Sequence, residues 1–480
     1  MPLLDSIREQ NPWWLSPEAI ANDTHLVALR GSQFRRVPPE LNQIDLAGPY
    51  VYTLRGPRQV GKTTLVKMII EKLLKEGTNP KAIAYFTLDL VTNPEGIVEV
   101  FRGVKDLTPD LTGSRFFFLD EISSVPDWQK AIKYARDTGL AASDFLLLTG
   151  SSAADIRRGA ERMPGRRGEK HGLDKLLLPL SFAEFAQARR VSPYSECRRL
   201  HLPDFLSEEA ATVLKSAMLM NPDLTRALGE YVTVGGFPRS VNELLGGAGV
   251  TKATMEMLWS LISGDVEKWH RDRRVALKIM ERLSTSLGTS LSWRRIAQAA
   301  GVSDPSTAQS YVELLSEEFV LLVLYFLDMS RQSISPRKAK KVYFVDPLMH
   351  HLVCHLLHPD RDLSQLVTRR LPALAEDVVA LELFRAMERD MVETFKMPTS
   401  LFYWRSSHQR EVDFLVRVDG DIIPIEVKYQ ADVRRRDAMT ITQSFGKGMV
   451  LSKSTLDLTG RVKILPLPLF LWLLKPQPQE

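Results

Sequence analysis

Two features are scarce in this chain: cysteine and long apolar runs. Only Cys197 and Cys354 occur in 480 residues, too few for a disulfide framework and in no zinc-ligand spacing. The opening "MPLLDSIREQNPWW" carries acids and lacks an apolar core, so it does not read as a secretory signal. The most apolar late stretch, "ILPLPLFLWLL", is too short to span a bilayer and is broken by prolines. No internal repeat and no long low-complexity segment interrupts the chain. The expectation is a cytoplasmic protein with no membrane partner.

What is present is an ordinary globular composition, 44% hydrophobic and 25% charged, enough to bury a core in each domain. At ~150 residues per domain the length sets about three domains. A net charge of +5 and a pI near 9.0 permit a nucleic-acid partner without requiring one. From residue 50 the chain alternates β-rich runs ("VYTLRG", "AIAYFTLDL", "RFFFLDEI", "DFLLLTGSS") with helical spacing such as "TLVKMIIEKLLKEG". Alternation of this kind builds a parallel sheet with helices on both faces.

The first run ends in "GPRQVGKTT", which fits GxxxxGK[ST] over Gly56, Pro57, Arg58, Gln59, Val60, Gly61, Lys62, Thr63 and Thr64. Its glycines let the backbone wrap phosphates at a helix N-terminus. Lys62 is placed to reach the β- and γ-phosphates, and Thr63 to offer its hydroxyl to Mg²⁺. In "FFFLDEI" four apolar residues deliver Asp120 and Glu121 to a strand end, Asp120 for the metal and Glu121 for the attacking water. "LLLTGSS" brings Thr149, Ser151 or Ser152 to the same γ-phosphate. The cofactors implied are ATP and Mg²⁺.

In combination, "RGPRQVGKTTL", "FLDEISSVPDWQKAIKYARDTG", "LLLTGSSA", "LPLSFAEF" and "GGFPR" resemble the prokaryotic AAA-superfamily P-loop ATPases that carry a C-terminal domain of unknown function with winged-helix and nuclease-like parts. The resemblance covers most of the chain from about residue 50. It implies an α/β multidomain fold: an N-terminal extension of no assigned role (1–45), an AAA-type ATPase core (46–188), a helical lid (189–272), a winged helix (273–362) and a nuclease-like α/β domain (363–480). It also implies a homo-oligomeric or nucleic-acid-gated ATPase with an arginine finger in "ERMPGRRGEK", Arg166 first and Arg167 second. A guanidinium there would meet the developing γ-phosphate charge bidentately. Arg239 of "GGFPR" is a candidate sensor from the lid.

In the middle, "SLSWRRIAQAAGVSDPSTAQSYVELLSEE" has helix-turn-helix grammar. Ile296, Ala297 and Ala300 share a face, Gly301 turns the chain, and Ser303 or Ser306 caps the next helix. Two strands then flank a basic wing holding Arg331, Arg337, Lys338, Lys340 and Lys341. The functional reading is DNA phosphate contact by the wing. The second helix lacks an arginine to read guanine, and such folds also dock protein partners. His351, Cys354, His355 and His358 share one helical face but have no matching distant ligands, so a packed helix is the expectation.

Near the C-terminus, Asp413 of "EVDFLV" precedes Glu426 and Lys428 of "IPIEVKY", two residues apart on one strand face. Asp413 and Glu426 could hold a divalent metal, Lys428 could orient or deprotonate a water, and Glu376 could add a ligand. This constellation looks like the restriction-endonuclease-like PD-(D/E)xK fold, with Gln443 similar to its accessory polar residue. Two functions remain open: an ATPase coupled to DNA binding or processing, or an ATP-dependent switch or scaffold with an inactive nuclease-like domain.

Overall fold

The computed structural model describes residues 3–150, 153–191, 198–359, 363–387, 397–406, 408 and 410–476. The chain divides into two compact units, Met1–Leu178 and Pro179–Glu480.

The first unit is built on β1 (Val51–Arg55), β2 (Ile83–Thr87), β3 (Phe116–Asp120), β4 (Phe145–Thr149) and β5 (Asp174–Leu176). They form one parallel sheet in the order β2-β3-β4-β1-β5. Sheets covered on both faces favour unbroken apolar strands, which is why "FFFL" and "FLLL" do not alternate. Successive side chains still point to opposite faces. Phe117, Leu119, Leu146 and Leu148 pack with Ile97, Phe101 and Ile132, while Phe118, Phe145 and Leu147 pack with Leu65, Val66 and Ile69. Because the strands are parallel, their C-terminal ends share one edge, and β4 stands between β1 and β3 at that edge.

The first 45 residues belong to this unit and have a role the sequence did not supply. The Asn11 side-chain amide donates to the Tyr85 carbonyl (2.8 Å), and its oxygen accepts the Tyr85 N–H (2.7 Å). Gln10 Oε1 accepts from Thr87 N (2.8 Å), and the indoles of Trp13 and Trp14 both donate to the Ile83 carbonyl (3.0 and 2.8 Å). These side chains satisfy the outer backbone edge of β2, which would otherwise template pairing with another chain.

The boundary between the two compact units falls at Leu178 and Pro179. The helix Phe182–Ala188 starts on a capping box of Ser181 and Glu184. It then sets Phe182 and Phe185 edge-on against Tyr231 of the helix Asn221–Val234, with ring centroids 5.9 and 5.2 Å apart. Aromatic burial therefore draws this segment into the second unit.

Further along, the helices Arg273–Thr285, Trp293–Ala300 and Pro305–Glu317 precede β6 (Leu321–Leu324), β7 (Leu327–Asp328), β8 (Ser333–Ile334) and β9 (Lys341–Phe344). β6 pairs with β9 and β7 with β8, both antiparallel, and Leu291 bridges Lys340. Gly301 ends its helix in the left-handed region (φ +72) as expected. The next N-cap is Asp304, which accepts from Ser306 N at 2.9 Å, and neither Ser303 nor Ser306. An ionised carboxylate there also suits the helix dipole.

The second sheet comprises β10 (Leu401–Arg405), β11 (Glu411–Val418), β12 (Asp421–Lys428), β13 (Gly448–Ser452) and β14 (Val462–Pro466), in sequential order. The first three are antiparallel and the last three parallel. The helix Leu363–Met387 packs against β9, β10, β11 and β12. Among the described residues no helix is long and apolar enough to cross a membrane.

Candidate functional site

The loop after β1 turns sharply into the helix Lys62–Lys75. Gly56 has φ +146, and a Cβ there would meet the Leu177 carbonyl oxygen at 2.0 Å, so only glycine lets the loop pass. Lys62 is buried, and its ammonium curls back to donate to the carbonyls of Gly56 (2.9 Å) and Pro57 (3.0 Å). The amides of the helix N-terminus and this ammonium together make an anion cradle.

Asp120, at the end of β3, is the hub beside that cradle. Its carboxylate accepts from the Thr63 hydroxyl (2.7 Å), the Tyr85 hydroxyl (3.2 Å) and the Glu121 amide (3.1 Å), and it is also bonded by the Thr149 hydroxyl. Thr149 can reach it because β4 lies next to β3. The hydroxyl of Thr63 and the carboxylate of Asp120 are hard oxygen donors side by side, a set that fits Mg²⁺ with most of its waters retained. Glu121 sits in the left-handed region (φ +53), uncommon for a residue with a side chain. Such backbone strain concentrates at functional sites. Ser151 and Ser152 lie outside the described residues.

Three participants are missing from the sequence reading: Tyr85, Lys67 and Asp23. The Lys67 ammonium lies 3.3 Å from the centroid of the Tyr85 ring and 3.3 Å from Asp23 Oδ2. Burial pulls the Lys67 pKa down, and Asp23 only partly restores it. Burial, and then the charge of Asp120, push the Tyr85 phenol far above its usual value, so it stays a hydrogen-bond donor. One signal was available: Lys67 lies four residues after Thr63 and so shares its helix face.

The two candidate arginines differ. Arg166 is part-exposed and pairs with Asp137 through Nε (3.0 and 3.2 Å). Arg167 forks onto both oxygens of Asp174 (2.7 and 3.0 Å) and donates to the Val51 carbonyl (3.2 Å), tying β1 to β5. Against the upward push of burial, this guanidinium holds Asp174 below its usual range. Arg167 is thus occupied as a sheet fastener.

In the second unit Arg239 pairs with Glu243 (3.4 Å) and touches Met257 Sδ (3.4 Å). The glycines before it form a joint. Gly236 N donates to Asp346 Oδ2 (2.7 Å), and Leu180 N donates to the Gly236 carbonyl (2.7 Å). A Cβ on Gly236 would meet the Leu180 oxygen at 2.4 Å. The motif "GGFPR" is therefore accounted for by packing within this unit.

The expected metal cluster of the second sheet is assembled differently from its sequence reading. Asp413 Oδ1 accepts from Lys341 Nζ (2.7 Å) and its Oδ2 from Val427 N (2.8 Å). Glu376 Oε1 accepts from Lys341 (3.0 Å) and from the Tyr343 hydroxyl (2.7 Å), and Glu411 Oε1 lies 2.8 Å from the same lysine. Lys341 was expected on an exposed wing; its side chain is 0% exposed, at the centre of three carboxylates. Burial alone would lower its pKa, but Asp413, Glu376 and Glu411 outweigh it and keep the ammonium charged. Lys340 is also buried, its Nζ 4.6 Å from the Trp293 ring. Arg331, Arg337 and Lys338 remain exposed.

Lys428 pairs with Glu426 (2.8 Å), whose Oε2 is buried without a hydrogen-bond partner. Burial pulls the Lys428 pKa down, but the hydrogen bond it donates to Glu426 and the charge of that carboxylate more than compensate, so it is no proton acceptor near neutrality. Gln443 is exposed and accepts from Arg410 instead of facing the cluster. His351 is buried against the Val232 carbonyl (2.7 Å), and burial lowers its pKa to about 4. Among the described residues no group of three or more His, Cys, Asp or Glu side chains is arranged to hold a metal ion.

Residues 49–186 match the family model described as an AAA domain. Residues 225–358 and 372–470 match two domains of unknown function, DUF8612 and DUF4143. The chain is 23% identical over 386 residues to an uncharacterized protein of Methanocaldococcus jannaschii, covering 78% of this chain and 74% of the relative. It is 23% identical over 405 residues to one of Mycobacterium tuberculosis, covering 83% of this chain and 74% of the relative. A solved Walker-type ATPase of Pyrococcus abyssi aligns over 64% of this chain and 91% of its own, at 14% identity and a TM-score of 0.40. The part of the first unit that holds the glycine loop, Asp120 and Thr149 is thus the part similar to an AAA domain.

Proposed function

We propose that this protein hydrolyses ATP with Mg²⁺ at the Gly56–Thr64 loop and couples turnover to nucleic-acid binding by the second unit. The supporting observation is the hydrogen-bonded set of Thr63, Asp120 and Thr149 beside the Lys62 cradle. Bound Mg²⁺, held by Thr63 and Asp120, would neutralise charge on the transferred phosphate. Lys62 would exchange its loop carbonyls for phosphate oxygens. Glu121 would orient the attacking water and take its proton. Thr149, already bonded to Asp120, would sense the terminal phosphate and relay its loss to β4. Arg166 is proposed as the finger, acting in a neighbouring copy of a homo-oligomer. Its exposed pairing with Asp137 is of the weak kind that exchanges readily.

The nucleic-acid part rests on the exposed cations around the β6–β9 hairpins: Arg331, Arg337 and Lys338, with Arg294 and Arg295 on the nearby helix. The helix Pro305–Glu317 carries no cation, which favours backbone contact over base reading in this winged-helix-like arrangement. The test is steady-state phosphate release with and without duplex DNA. Stimulation that disappears when Arg331, Arg337 and Lys338 are replaced together supports the coupling. A rate indifferent to DNA, with no DNA bound, sinks it.

A further inference from the structure

We infer that Lys341 is the resident cation of the acidic cluster on the second sheet, standing where a nuclease-like site would take a divalent metal. The inference is independent of the nucleotide site. An ammonium has three N–H donors and no acceptor. Lys341 directs them to Asp413 Oδ1, Glu411 Oε1 and Glu376 Oε1 at 2.7, 2.8 and 3.0 Å. These carboxylates make further contacts: Asp413 Oδ2 takes the Val427 amide, Glu376 Oε1 also takes the Tyr343 hydroxyl, and Glu411 Oε2 lies 3.4 Å from Arg405 Nε.

A hard divalent ion needs a shell of about six oxygens, several of them water. Here the space between the carboxylates is filled by a side chain with no solvent exposure. Nor is the lysine on a loose tether. It opens β9, where its backbone pairs with Leu324, and its neighbour Lys340 exchanges two backbone hydrogen bonds with Leu291, each 2.8 Å. This pairing fixes the backbone from which the ammonium reaches the carboxylates. The same contact joins β9 to β11 and to the helix Leu363–Met387 through residues 35 and 72 positions away in sequence. Asp413 and Glu376, two of the residues expected to hold metal for cutting, instead hold a strand of the preceding hairpin. The Lys428 ammonium is paired with Glu426, so it offers the cluster no basic group to activate water.

The test is Mn²⁺ binding to the full chain without nucleotide, read by loss of the free-ion electron paramagnetic resonance signal. Wild type is compared with Asp413→Asn, Lys341→Met and the double variant. Equal Mn²⁺ uptake by wild type and Asp413→Asn is expected. Lys341→Met should gain one Mn²⁺ per chain, lost again in the double variant. One more Mn²⁺ on wild type than on Asp413→Asn overturns the inference. So does a folded Lys341→Met chain that gains none. Should Lys341→Met fail to fold, wild type incubated with supercoiled plasmid and Mn²⁺ decides. Nicking that vanishes in Glu426→Gln overturns the inference, and intact plasmid agrees with it.

Discussion

At the residue scale, Asp120 is held by side chains from three strands or helices, and one of them can be removed cleanly. Tyr85→Phe deletes a single hydroxyl and leaves the ring under Lys67 in place. Losing a hydrogen bond to a buried carboxylate should cost about 1–3 kcal/mol, measured as a shift in urea midpoint. It should also raise the Mg²⁺ concentration needed for half-maximal ATP turnover, because Asp120 is then less firmly aimed. Unchanged stability and unchanged Mg²⁺ dependence would show that Tyr85 is a bystander. Lys341 is the opposite case, since Lys341→Met strands three carboxylates. Breaking a buried charge pair from one side typically costs about 3–5 kcal/mol, so a neutral outcome in urea would contradict the buried geometry.

These two residues also mark what was legible in the sequence. The loop Gly56–Thr64 could be read because its requirements are local: glycines, a lysine and a hydroxyl at fixed spacing before a helix. Asp120, Glu121 and Thr149 could be read because buried parallel strands end in the only polar residues of their runs. Lys341 could not. In "RKAKK" it looks like part of a solvated basic run, and its burial is set by Glu376 and Asp413, far away in sequence. Tyr85 sits in an apolar run where one hydroxyl carries no pattern. The role of residues 1–45 was hidden for a similar reason, because Asn11 and Trp13 act on the backbone of β2, which no side-chain pattern reports.

At the scale of elements, the turn at Gly236 and the start of the helix Pro347–Leu357 are joined through Asp346. Gly236→Ala would force a methyl against the Leu180 carbonyl, and overpacking of this kind costs about 1–3 kcal/mol. Burial pushes the Asp346 carboxyl up to about 7, against the pull of the Gly236 and Leu348 amides. Its unfolded value is ~3.9, so between these pH values the folded chain holds a proton that the unfolded chain has released. The stabilisation from this group is therefore complete below ~pH 4 and lost as pH rises through about 7. Asp346→Asn stays neutral throughout and should flatten the fall in urea midpoint between about pH 4 and 7. An unaltered slope would remove Asp346 as its source.

The hairpin element makes a separate demand. With Lys340 and Lys341 buried, the wing itself offers phosphates Arg331, Arg337 and Lys338. Replacing those three should weaken DNA binding evenly across sequences and flatten its salt dependence by about 0.9 per lost contact. An unchanged salt slope would assign the hairpin to a protein partner.

At the scale of the whole molecule, the proposal is an ATPase engine in the first unit and a binding apparatus in the second whose nuclease-like sheet is neutralised from within. If Arg166 acts across a subunit interface, mixing Arg166→Ala with Glu121→Gln chains should restore part of the ATPase rate, since some mixed interfaces keep both groups. Verified co-assembly without rescue would place Arg166 outside the reaction. The central claim meets its most direct test in phosphate release from Mg-ATP, with nucleotide binding measured on the same proteins: wild type, Lys62→Ala and Glu121→Gln. Wild type should turn over, and chelating Mg²⁺ should stop it. Lys62→Ala should lose nucleotide binding. Glu121→Gln should bind ATP with little change yet turn over roughly 10²–10⁴-fold more slowly, because it acts on the attacking water and not on the ground state. Equal hydrolysis by wild type and Glu121→Gln, or no nucleotide bound by wild type, would contradict the account.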